Sequence, residues 1–114
     1  MTQCELADKH CKPCEGGVAP LDATAAAALL NDMPEWRLGT DAAFIFREFR
    51  FKNYYQTIAF VNALAWIAHR EDHHPDMEVG YNRCLVRYNT HAIGGLSEND
   101  FICAAKIDAL LAAS

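Results

Sequence analysis

The chain has 114 residues, 52% of them apolar and 22% charged, with a net charge of −5. That length carries one core and is too short for two, and no apolar run reaches the roughly 18 residues of a membrane span. The acidic balance argues against a broad nucleic-acid-binding face, which needs clustered Lys and Arg.

Residues 1–20 are polar and broken by Pro13, Gly16, Gly17 and Pro20, and they read as an irregular N-terminal arm that truncation should leave dispensable. The start at Met1 lacks the basic and apolar segments of a secretory signal. Five cysteines form an odd set without a regular framework, so reduced thiols and a cytoplasmic location are expected. From residue 21 to 114 the pattern is that of one domain. Asp22 is placed to cap an alanine-rich helix over 23–32, which Met33-Pro34 ends. Trp36-Arg37-Leu38 is a short strand, and Gly39-Thr40-Asp41 supplies turn chemistry. A longer strand over 43–51 has aromatics at 44 and 46, then at 49 and 51. This phase slip fits either a bulge or a strand covered on both faces.

Asn53 and Gln56 have capping-box spacing at the start of a helix over 53–71. Its apolar stripe is wide enough to predict burial against a sheet and a partner subunit. Alternation then predicts a hairpin, 76–81 and 83–90. Gly94-Gly95 breaks the chain, and Ser97 is placed to cap a last helix over 98–112. The order αββαββα predicts an α+β two-layer domain, with an antiparallel four-stranded sheet and three helices on one face. The wide stripe and the open sheet edges predict at least a dimer.

The chemistry-bearing residues cluster late in the chain. Proline disfavours the α region at the residue before it, so His74 in Asp72-His73-His74-Pro75 should be extended, at a helix-to-strand junction. The hairpin returns His91 towards His73 and His74. Three imidazoles at one mouth can act as general base, general acid and hydrogen-bonding group, each proton-transfer group being worth about 10²–10⁴-fold in rate. Asp100 stands three residues after Ser97, a helix-capping position, and is also expected to orient a histidine, His91 being the nearer choice. His69 and His73 have the i, i+4 spacing of metal ligands but lack the Glu of a His-Glu-x-x-His site, so no metal is assigned. Cys4, His10, Cys11 and Cys14 form a loose set around one C-x-x-C, read as free thiols on a flexible arm rather than a zinc clip.

These residues resemble a known family. His73-His74-Pro75, an aromatic at Tyr81, His91 eighteen residues after His73, and Gly95-Leu96-Ser97-Glu98-x-Asp100 are similar to the pterin-4a-carbinolamine dehydratases. Phe46-Arg47-Glu48-Phe49-x-Phe51-Lys52 and the long helix extend the likeness over roughly residues 34–112. The resemblance implies the αββαββα fold in dimers or tetramers. It also implies dehydration of 4a-hydroxytetrahydropterin to the quinonoid dihydropterin without a metal or redox cofactor, recycling the cofactor of aromatic amino-acid hydroxylases. It aligns His73, His74, His91 and Asp100 with the family's catalytic residues, and makes His73, Pro75 and His69 the candidate substrate contacts. The chain departs from the pattern at His69, where many members carry Glu, and at Met77, where some carry an aromatic. The alternative reading is a non-catalytic dimeric protein-binding module of the same fold.

Overall fold

The computed structural model describes residues 2–13 and 18–112. The elements run α1 (Gln3–Ala7), α2 (Ala23–Leu30), β1 (Arg37–Leu38), β2 (Ile45–Arg50), α3 (Tyr54–Glu71), β3 (Asp76–Val79), β4 (Arg83–Tyr88) and α4 (Glu98–Ala112), with short 3₁₀ turns at Thr40–Ala42 and His91–Ile93. The strands form one antiparallel sheet in the order β1-β2-β4-β3. This is the expected α+β arrangement with one helix added at the front.

Local chemistry accounts for the boundaries. Asp22 accepts from the Ala25 amide and starts α2. Asn53 accepts from the Gln56 amide, while Gln56 Oε1 takes the Lys52 amide, so the box closes one residue earlier than its usual form. At the other end of α3, Asp72 adopts the left-handed conformation (φ 50°, ψ 44°) that closes helices.

The core lies between one sheet face and the helices. Ile45, Phe49, Cys84, Val86 and Tyr88 meet Ala26, Phe60, Leu64, Phe101 and Ile107, all buried. The slipped alternation in β2 is not a bulge, because Ile45 to Arg50 pair residue for residue with Tyr88 to Arg83. It arises because Arg47 takes an inward position. There the guanidinium lies 4.3 Å from the Phe49 ring centroid and 2.8 Å from Asp108 Oδ1. Trp36 Nε1 and Gln3 Nε2 also donate to that carboxylate, so the half-buried charge is paired. Phe44 and Phe46, with ring centroids 5.9 Å apart, lie on the other face.

One expectation of the fold fails, the irregularity of the arm. Thr2 caps the five-residue α1, Leu6 is fully buried, and Lys106 Nζ donates to the Ala7 carbonyl of α1. The segment after α1 then runs as a strap: the Cys11 amide donates to Glu71, the Lys12 amide donates to Asn99 Oδ1, and Asn99 Nδ2 donates back to the Lys12 carbonyl. A one-turn helix shows too little periodicity to be read, yet one leucine and a few side-chain bonds seat it. Residues 2–13 of the arm are therefore packed against α3 and α4. Within the single chain, α3 buries only Thr57, Phe60 and Leu64 and leaves Tyr55 and Trp66 80% and 61% exposed.

Candidate active site

The left-handed turn at Asp72 ends α3 and redirects the chain. His73 turns inward, to 13% side-chain exposure, and His74 turns outward. Pro75 is buried behind them and leads into β3. The hairpin then delivers its far end to the same place, because Asp76 pairs with Arg87. Thr90 and His91 follow, with His91 opening the 3₁₀ turn rather than ending the strand. The His74 and His91 rings stand 6.5 Å apart between centroids.

Together these elements form one wall of a cavity of about 670 Å³. His73, His74, Asn89, Thr90 and His91 line it from the hairpin side, and His10, Cys11 and Lys12 of the strap close another side. Pro75 and His69 do not line it. His69 is exposed on α3, its ring 5.4 Å from that of Trp66. Because α3 stops at Glu71, His69 and His73 do not share a helical face, so the metal-ligand spacing is not realised.

Asp100, fully buried in the first turn of α4, orients a histidine as expected, but that histidine is His73 and not His91. His73 Nε2 lies 2.6 Å from Asp100 Oδ1. Asp100 Oδ2 accepts from the Ser97 amide and from the Thr90 hydroxyl. The capping box at this helix is therefore made by its carboxylate arm, while the Ser97 hydroxyl turns to Thr90 at 2.7 Å. Burial pulls the His73 imidazole down, but the hydrogen bond and the charge of Asp100 outweigh it and hold the ring above the ordinary histidine value.

Several contributors were not visible in the sequence. Tyr88 is fully buried and stacks on His73, with centroids 5.5 Å apart and planes 12° off parallel. Burial pushes its phenol up. Glu71 anchors the strap through the Cys11 amide and through His10, at 3.1 Å. Burial pushes its carboxyl up, yet these two bonds hold it below its ordinary value. Alternation in β4 marks Tyr88 as core, but nothing in the sequence signals its stacking on an imidazole. Cys4, His10 and Cys11 do not gather around a common point. Cys4 is exposed, His10 meets Glu71, and Cys11 faces Cys103; Cys14 lies outside the described residues.

The sequence profile described as pterin 4 alpha carbinolamine dehydratase matches residues 19–110. The chain belongs to this family. A relative from Nitrosomonas eutropha, whose name places it in the same family, is 65% identical over 109 residues, covering 95% of each chain. One from Dechloromonas aromatica is 56% identical over 110 residues, covering 96% of each. Among solved structures, a transcriptional coactivator/pterin dehydratase from Brucella melitensis superposes with a TM-score of 0.76 at 30% identity, covering 80% of this chain and 97% of that one. A pterin dehydratase-like protein described as a RuBisCO assembly factor in the alpha-carboxysome superposes with a TM-score of 0.61 at 30% identity, covering 70% of this chain and 93% of that one.

Proposed function

We propose that this family member dehydrates a 4a-hydroxytetrahydropterin to the quinonoid dihydropterin. The observation that carries the reading is the set of three imidazoles at one cavity with different environments. His73 is half-buried, stacked on Tyr88 and held by Asp100, whereas His74 and His91 are exposed at the mouth. In this reading His73 is the fixed group that donates a hydrogen bond and positions the pterin. His74 and His91, exposed at the mouth, serve as the acid-base pair. One removes the proton from the ring nitrogen beside the carbinolamine carbon. The other protonates the hydroxyl on that carbon, which leaves as water as the carbon–nitrogen double bond forms. No electron transfer is required. Asp100 acts through His73 and is a positioning residue.

The physiological setting follows as part of the proposal: recycling of the pterin cofactor of an aromatic amino-acid hydroxylase in the cytoplasm. We also place a self-association surface on α3, where Tyr54, Tyr55 and Trp66 stay exposed. A stable 12.7 kDa monomer in sedimentation at micromolar concentration would refute that part. The assay for the activity is stopped-flow decay of freshly generated 4a-hydroxytetrahydropterin. Wild-type protein should accelerate it, and a His74→Ala/His91→Ala double variant should not. No acceleration by well-folded wild-type protein would favour the binding-module reading, for which the RuBisCO assembly factor of related fold is the precedent.

A further inference from the structure

The dehydration leaves one pair of reactive groups unused. Cys11 Sγ on the strap lies 3.5 Å from Cys103 Sγ on α4, and the two residues are 92 apart in sequence. Cys103 is fully buried, next to the Tyr88 hydroxyl, with its sulfur 4.0 Å from the His73 carbonyl oxygen. Cys11 lines the cavity and is only partly buried, so a small reagent entering the cavity reaches its sulfur but not that of Cys103.

We propose that Cys11 and Cys103 are a redox modification site, forming a reversible disulfide that locks the strap onto α4 beneath His73. The oxidant is a small disulfide of the glutathione class. The Cys11 thiolate attacks one sulfur of the oxidant, forming a mixed disulfide and releasing one thiolate. The Cys103 thiolate then attacks the Cys11 sulfur, forming the Cys11–Cys103 bond and expelling the second thiolate. The protein loses two electrons and two protons, and the oxidant gains both as two thiols. Bond formation needs the sulfurs to close from 3.5 Å to about 2.05 Å, a shift that the strap, without regular secondary structure, can supply. Cys103 already faces Cys11 at 3.5 Å, so once a mixed disulfide forms at Cys11 the resolving thiol stands beside it and the adduct should not accumulate.

The disulfide is independent of the dehydratase reading, and its test needs no activity. The full chain is incubated with excess oxidised glutathione, then denatured with alkylation of free thiols and analysed by mass spectrometry. The expected result is one intramolecular disulfide joining the peptides of Cys11 and Cys103, reversed by dithiothreitol and raising the Tm by up to about 20 °C through the long loop it closes. Cys11→Ser and Cys103→Ala should not form it, and Cys14→Ser should form it normally. Because Cys103→Ala could perturb the core, the exposed-side variant Cys11→Ser and the peptide map of the wild type each suffice alone. A Cys11–Cys14 link, a stable glutathione adduct at Cys11, or persistence of both free thiols would overturn the proposal.

Discussion

Replacing Asp100 with Asn separates the charge of the buried pair from its shape. The carboxylate is fully buried and its partner His73 is 13% exposed, so solvent screens the pair little. Asn can keep one oxygen towards the Ser97 amide and the Thr90 hydroxyl, the partners of Oδ2. Its amide then faces His73 Nε2 as a donor, so the imidazole must be neutral there to accept. A hydrogen bond to a charged group contributes about 1.5–3 kcal/mol and a neutral one about 1 kcal/mol, so the substitution should cost about 1 kcal/mol while His73 is cationic. At this chain length that lowers Tm by roughly 4 °C. The pH dependence gives a sharper test. His73 is held above its ordinary value by Asp100, so the stability it contributes is complete below the unfolded imidazole pKa of about 6.5. It fades as pH rises through the raised folded value, each tenfold gain in proton affinity being worth about 1.4 kcal/mol. Urea unfolding of both proteins at pH 6 and pH 8.5 should show the larger cost at pH 6. A cost that is equal at the two pH values, or larger at pH 8.5, would refute the cationic His73–Asp100 pair.

Three further outcomes are expected. His74→Ala and His91→Ala should each lower dehydratase turnover about 10²-fold in stopped-flow assays, with Tm nearly unchanged because both rings are exposed. Asp108→Ala should cost about 3–5 kcal/mol in urea unfolding, because it strands the Arg47 guanidinium inside the sheet face and removes the acceptor of Trp36 and Gln3. Leu6→Ala should cost about 2–5 kcal/mol and deletion of residues 2–8 at least as much; an unchanged Tm in differential scanning calorimetry would mean that α1 does not dock.

The parts legible in the sequence were those with long periodicity or strong punctuation. Asp22, Asn53 and Gln56 marked helix starts, the hairpin alternated cleanly, and its return stroke placed His91 beside His74. Short or non-periodic devices were not legible. Five residues of α1 carry no readable stripe. Arg47, a charged side chain in a strand, takes an inward position satisfied by Asp108 of α4, sixty-one residues away. The partner of Asp100 depended on which way the chain leaves α3, and a left-handed Asp72 has no sequence signal as clear as a glycine. The thiol pair was hidden because Cys11 and Cys103 belong to opposite ends of the chain.

That left-handed residue has a consequence for how the junction can change. In an extended segment successive side chains point to opposite sides, so the single reversal at Asp72 decides that His73 faces the core and His74 the cavity mouth. The three residues from His73 to Pro75 are thus a counted segment. Inserting one residue between Asp72 and His73 would put the inserted side chain at the inward position facing Asp100 and turn His73 out to the mouth, although all three histidines of the site would remain. Loops ordinarily absorb insertions, as the turn at 80–82 has the exposure to do. Here length is itself a specificity element, and two identical neighbours acquire different chemistry from parity alone.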